Sequence, residues 1–543
     1  MSIDVCLELP DNQQPAAVES KAVRAKTKAP LAIACFAAAL YLAFSAFVLR
    51  AELRETGTLV FPLDDTYITM ALAKNLALHG VMGISPNHFV PATSCPGFVL
   101  LLAAAYFLTG PTVWWPLALS LAFGLAAILM AQRLLASTHW GIQLGALLAM
   151  LFFTPLHIMG LLGMEHTLHL FLVLVFLDAV TDSLAKQKPP AWSLLLLTGF
   201  MVSVRYESLF LVAVACLLYF QHRQVTAAVR LGLAAAAPVG LFGAISMLNG
   251  CYWLPQSIAR KGLSVEAVTQ TPMEFIHHFV SRLTYAPYLG VFVVMIVVLL
   301  TIPGVMKDRR ARSMLGIVLG GILLQLALAD VGWTYRYEAY VVGAAIATIA
   351  YVIPHVQFAR NRWAVVFLLV FAVAGSGTLA RRLVNAERTL PERSAAVYNQ
   401  QFQMARFLSR FENGVSVAAN DVGAINYYAD IDCLDLAGLG DREVFRLLRQ
   451  GNFTVASMMK LAKDRKVKIA VVYDSWFPFL SWTEPPVPIS WTRVARWRTP
   501  YSSYLGSDTV SFYATSPEEA VKLKTSLAVF APSLPPNVEV LDK

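Results

Sequence analysis

The stretch FPLDDTYITMALAKNLALHG occupies positions 61–80 and comes soon after an apolar run, Pro30–Leu49. That run has 20 residues, about the length that crosses a bilayer. A cleaved signal peptide has an apolar core of only about 7–15 residues. Lys21, Arg24, Lys26 and Lys28 precede the run. It reads as a retained first span with a cytoplasmic N-terminus. Asp64 and Asp65 then stand where the chain has just left the membrane on its outer side, a costly place for carboxylates unless they are solvated, paired or working.

Composition agrees with a membrane protein. Of 543 residues, 57% are hydrophobic and 14% are charged, whereas soluble domains are about a quarter charged. Mean hydropathy is +0.59. The net charge of +9 resides mostly in short loops between apolar runs, which is a topology signal. No basic tract interleaved with aromatics points to nucleic acid. The six cysteines are scattered without a C-x-x-C spacing, so neither a zinc site nor a disulfide framework is read.

Apolar runs suited to spans lie at 30–49, 114–135, 141–160, 167–183, 191–204, 207–220, 229–249, 287–304, 314–330, 339–355 and 363–380. A further run at 97–110 reads as a re-entrant or surface helix. With it excluded, Arg133, Lys186, Lys188, Arg223, Arg230, the 307–312 cluster, Arg360 and Arg362 all fall on the cytoplasmic side, as the positive-inside rule asks. The expectation is therefore an α-helical polytopic membrane protein of about 11 spans, N-terminus inside. The segment 1–29 is a cytoplasmic tail, 30–380 the transmembrane domain with its first outer loop at 50–113, and 381–543 an extracytoplasmic soluble α/β domain. In that tail VSVAAND, IDCLDLAGL and KIAVVYDSW read as buried strands, with a helix near 455–466.

This layout brings LDDTY, GMEHT (163–167), VRYES (204–208), LPQSIARKG (254–262) and TYRYEAY (334–340) to one face of the membrane. Each has a plain structural reading. Asp64 or Asp65 caps the following helix; Glu165 is an interfacial acid; Tyr335, Tyr337 and Tyr340 form an anchoring belt; Arg260 and Lys261 are solvated. Two acids exceed what one cap needs, and Arg205 lies between nearly continuous apolar runs, where a guanidinium requires Glu207 or a phosphate. Together the acids and cations suit a reaction on a lipid-linked phosphate. A carboxylate deprotonates the attacking group, fixed cations stabilise the departing phosphate, and greasy grooves hold the lipid. His166 and His169 near Glu165 read as polar interface residues; no metal ligand set is assigned.

LDDTYITMALAKNLALHG resembles the first-loop signature of the GT-C superfamily of integral-membrane glycosyltransferases, D-D-x-Y-I followed by R/K-N-L…G. PATSCPGFVLLLAA, GMEHTL, SVRYESLFL, LPQSIARKG and YRYEAY resemble later family stretches. AANDVGAINYYADIDCLDLAGL resembles the soluble domain of bacterial relatives of mycobacterial arabinofuranosyltransferases. The resemblance implies a GT-C-like fold and inverting transfer of a sugar from a polyprenyl-phosphate carrier to an envelope glycan or lipid acceptor, at the outer face of a bacterial cytoplasmic membrane. It implies Asp64 or Asp65 as base and Glu165 as the second acid. It implies Lys74, Arg205, Glu207, Arg260, Lys261, Tyr335, Arg336 and Tyr337 as substrate-binding residues. No cofactor is required, and a divalent cation (Mg or Mn) is the one cofactor left open. The chain departs from the family at Gln256-Ser257, where Asn-Thr is common, and at Tyr206, where Pro is common; both bear on substrate identity. The alternative readings are a transporter or flippase for a lipid-linked or sugar substrate, which predicts mid-membrane charges and repeated halves, and a scaffold that binds cell-wall polymer.

Overall fold

Backbone groups in lipid have no water to bond, so apolar runs close their hydrogen bonds internally as helices. The computed structural model describes residues 16–261, 271–357, 361–476, 490–500 and 502–541, with the side chains of 16–29, 260, 261 and 502 outside the description. Its first eleven helices are α1 (Ala16–Thr56), α2 (Asp64–His79), α3 (Pro96–Thr109), α4 (Trp114–Leu134), α5 (Trp140–Phe153), α6 (Leu156–Leu161), α7 (His166–Ala185), α8 (Trp192–Val204), α9 (Ser208–Gln221), α10 (Val225–Leu248) and α11 (Gln256–Lys261).

Six helices among the described residues are long and apolar enough to cross a membrane: Pro30–Thr56 within α1, α4, α7, α10, Arg309–Leu328, and a long apolar-to-polar unit, Arg362–Phe411. A seventh crossing is added if the pair Pro272–Tyr285 and Pro287–Leu300, bent by 95°, counts as one. α3, α5, α8, α9 and Ala339–His355 are apolar but shorter. The run expected as one helix over 141–160 is broken into α5 and α6 at Thr154-Pro155, because proline cannot donate to the turn before it. The helix Arg362–Asn399 does not stop near Ala380 but continues into the C-terminal domain, with Pro391 inside it.

The C-terminal domain is built on a six-stranded sheet of order β2-β1-β3-β5-β4-β6. Its strands are β1 (Ser416–Ala419), β2 (Asp432–Asp435), β3 (Ile469–Val472), β4 (Thr492–Arg498), β5 (Thr509–Ala514) and β6 (Glu539–Val540). β2, β1 and β3 are parallel, in the register Val417 to Cys433 and to Ile469. β5, β4 and β6 join antiparallel. The first three strands are the ones expected from the sequence. One face of the sheet packs with Phe407, Trp497, Phe512 and Phe530, and the same apolar cluster continues through Ile425 to Tyr67 and Met70 of α2 and Leu102 of α3. α2, α3 and the domain thus share one core, separate from the core between the long apolar helices.

Candidate active site

Asp64 and Asp65 open α2. Adjacent residues on a helix point about 100° apart, so the two carboxylates face different surroundings. Neither caps its own helix. The N-cap is Leu63, and it makes no side-chain cap. Asp64 instead accepts hydrogen bonds from the backbone N–H groups of Gly423 (2.6 Å) and Ala424 (2.8 Å) in the C-terminal domain. Its burial and the Asp421 carboxyl beside it push it well above the usual carboxylate range. Asp65 pairs with Arg336 and lines a cavity of about 230 Å³.

That cavity collects most of the expected residues. Asp65, Glu165, Arg205, Glu207, Arg336 and Tyr337 line it, with Ile68, Leu209, Phe210, Val239, Leu254 and Ile258 as apolar wall. Leu439 is the C-terminal domain's contribution. Arg205 sits at the break between α8 and α9. Its Nη1 donates to Glu165 Oε1 at 2.8 Å and its Nε to Glu207 Oε2 at 3.1 Å, with Nη2 on the other Glu207 oxygen. One planar guanidinium therefore spans two carboxylates, a geometry that lysine cannot reproduce. Glu165 is 1% exposed. Its Oε2 makes no hydrogen bond among the described residues, and the Cys95 thiol lies alongside.

Arg336 is 2% exposed. Its Nη1 approaches Met164 Sδ at 2.8 Å, and the guanidinium lies 5.2 Å from the Tyr337 ring centre. Its Nε makes no hydrogen bond among the described residues. The loop delivering it is strained: Gly332, Trp333, Thr334 and Tyr335 all have positive φ, from 43° to 84°. Such runs persist only where surrounding structure over-determines them. Glu338 does so here. It is fully buried and accepts from Gly332 N (2.8 Å) and Tyr288 Oη (2.6 Å), with Arg382 Nη2 at 3.2 Å.

Other expected residues lie elsewhere. Tyr335 turns from the cavity to the helix Arg362–Asn399, where its carbonyl accepts from Arg382 and its hydroxyl bonds Asn385. Lys74 is 8% exposed and ties α2 to the C-terminal domain through the Tyr427 carbonyl (2.9 Å) and Asp430 (3.2 Å). Arg260 and Lys261 end α11, and their side chains lie outside the described residues. Among the described residues no group of three or more His, Cys, Asp or Glu side chains converges as metal ligands.

Sequence reasoning missed Asp421, Glu338 and Arg382. A signal existed for Glu338 in the repeated Arg-Tyr-Glu triplet. The two triplets behave differently, however: Arg205 pairs with the Glu two residues on, while Arg336 reaches back to Asp65 and leaves Glu338 to hold the loop.

Comparison with known proteins supplies the architecture. Residues 393–513 match a domain of unknown function, DUF8728. No curated protein matches the chain. Among solved structures the chain is similar to ArnT from Cupriavidus metallidurans bound to undecaprenyl phosphate, at 13% identity over 89% of this chain and 98% of that one, with a TM-score of 0.53. It is also similar to that protein in the apo state (12% identity, 89% and 98% coverage, TM-score 0.49). A third similarity is to an Archaeoglobus fulgidus oligosaccharyltransferase in complex with zinc and sulfate (14% identity, 92% and 74% coverage, TM-score 0.41). The first of these shows the fold. Over most of its length the chain shares the architecture of that ArnT structure.

Proposed function

We propose that the chain is a glycosyltransferase that moves a sugar from a polyprenyl-phosphate carrier to a cell-envelope acceptor on the outer face of the cytoplasmic membrane. The carrying observation is the cavity itself, where Asp65, Glu165, Arg205 and Arg336 meet beside an apolar wall. The bound undecaprenyl phosphate of the ArnT structure, whose fold the chain shares, supports a polyprenyl-linked donor.

In this reading Asp65 takes the proton from the acceptor hydroxyl as its oxygen attacks the anomeric carbon. The bond from that carbon to the phosphate oxygen breaks, and polyprenyl phosphate departs with the bonding electrons. Arg336, with its Nε unbonded, and Arg205 stabilise the departing negative charge. Attack opposite the leaving group inverts the anomeric centre. The lipid tail lies along Leu209, Phe210, Val239 and Ile258. Asp65 is the base in preference to Asp64, because Asp64 is spent on the Gly423 and Ala424 amides and does not line the cavity. For topology, the six long helices, the bent pair and the four shorter apolar helices other than α3 make the eleven spans, with the N-terminus inside and the C-terminal domain outside.

The test supplies purified wild type and Asp65→Asn with a panel of polyprenyl-phosphate sugars and follows transfer by mass. Transfer by the wild type and its loss in the folded variant support the reading. Wild-type transfer that survives in Asp65→Asn overturns the mechanism.

A further inference from the structure

The C-terminal domain meets the first outer loop at the segment leaving β1. Asn420 Oδ1 accepts from the Tyr473 amide (2.9 Å), which fixes this segment to the end of β3. Asp421 Oδ2 accepts from the Tyr473 hydroxyl and from Gln401 Nε2, both at 2.8 Å. Gly423 lies so close to Asp64 that a Cβ there would overlap the Asp64 carbonyl and carboxylate. The carboxyls of Asp64 and Asp421 are themselves in hydrogen-bond contact across the interface.

A carboxylate only accepts hydrogen bonds, so two of them in contact require a proton between them. The remaining groups do not replace that proton. Tyr67 from α2 and Tyr473 from the domain face Asp64 as neutral hydroxyls. Lys74 is bonded to Tyr427 and Asp430, and Arg336 to the neighbouring Asp65.

We propose that Asp421 is a positioning residue, sharing one proton with Asp64 and so holding the start of α2, and Asp65 with it, against the C-terminal domain. The sign follows from proton linkage. The docked pair binds a proton that free carboxyls release in the ordinary carboxylate range, so docking is strongest at low pH. It weakens as pH rises from that range and levels off once the shared proton is gone. The effect on transfer rests on the function proposed above, whereas the docking does not.

Hydrogen exchange of the full-length protein in nanodiscs, without substrate, reads docking directly. Protection of the α2 amides and of Gly423 and Ala424, corrected for intrinsic exchange, is measured across pH in wild type and Asp421→Asn. We expect wild-type protection to fall with rising pH by up to about tenfold per unit, the limit for one proton. In Asp421→Asn the amide supplies a permanent neutral donor and the like charge is gone, so protection falls with pH more weakly than in wild type, by the part that the burial of Asp64 alone imposes. The same slope in both proteins, or a level wild type, overturns the proposal. Should Asp421→Asn fail to fold, Asp64→Asn removes the titrating partner from the other side; it also leaves only one acceptor for the Gly423 and Ala424 amides, so it is read by the loss of the pH slope and not by the level of protection. Because no sugar is transferred, failure here is distinct from failure of the enzymatic reading.

Discussion

Asp65 at the start of α2 and Arg336, 271 positions further along the chain, form an ion pair at the wall of the cavity. The pair joins an acid that can accept a proton to a cation that can hold an anion, and it links the two segments that sequence reasoning had picked out separately. It also separates two neighbours. Asp65→Asn is expected to lower transfer by about 10²–10⁴-fold, the usual worth of a general base. Asp64→Asn is expected to cost less, since Asp64 does not line the cavity; its amide oxygen keeps one of the two backbone donors, and the other faces the amide NH2. Single-turnover transfer assays, beside melting temperatures for both variants, measure the contrast.

Gly423→Ala tests the close approach at the domain interface. The obstacle to a Cβ is the Asp64 backbone carbonyl as well as its carboxylate, and backbone yields little. Overpacking of this kind costs about 1–3 kcal/mol. Gly377, on the helix Arg362–Asn399, has open space around its would-be Cβ, so Gly377→Ala should be neutral or stabilise by up to about 1 kcal/mol through helix propensity. Thermal unfolding should show a lowered melting temperature for Gly423→Ala and an unchanged or raised one for Gly377→Ala.

The fold was legible where a residue's role depended on nearby sequence. Apolar run lengths marked the apolar helices, and short apolar stretches bounded by polar residues marked β1 to β3, which are mostly buried. β4, TRVARWR, escaped because its arginines face outward and only Ala495 and Trp497 are buried. In the site, Glu165, Arg205 and Glu207 declared themselves as charges among apolar runs. Asp421 gave no such sign, since an acid after a strand is ordinary in a soluble domain. Its meaning depends on Asp64, more than 350 positions earlier. Lys74 shows the same dependence on distant sequence: a lysine in a family-like motif reads as a substrate contact, and the structure places its ammonium on Tyr427 and Asp430 of the C-terminal domain.

The left-handed run before Arg336 gives a stability–activity contrast. Thr334 is β-branched at φ 60°, and its buried hydroxyl makes no hydrogen bond among the described residues. An L-residue in this region costs about 1–2 kcal/mol, part of which glycine returns as unfolded-state entropy. Thr334→Gly should therefore raise stability by up to about 1 kcal/mol while loosening Arg336. The expected pairing is a higher melting temperature with a raised KM for the donor. A higher KM without any gain in stability would locate the effect elsewhere.

Arg205 is the least replaceable residue of the site, because two carboxylates depend on it. Removing one partner of a buried ion pair costs about 3–5 kcal/mol, since the other charge stays behind. Arg205→Met strands both Glu165, which is 1% exposed, and Glu207, whose side chain is 19% exposed. Arg205→Lys keeps the charge but cannot bridge two carboxylates with a planar fork, and should fall between wild type and the methionine variant. Glu207→Gln leaves the Glu165 bond intact and removes only the more solvated partner, so it should be the mildest of the three. Chemical denaturation in detergent orders them. If Glu207→Gln proves as damaging as Arg205→Met, the bond from Arg205 to Glu207 holds the α8–α9 break by itself and Glu165 adds nothing to its stability.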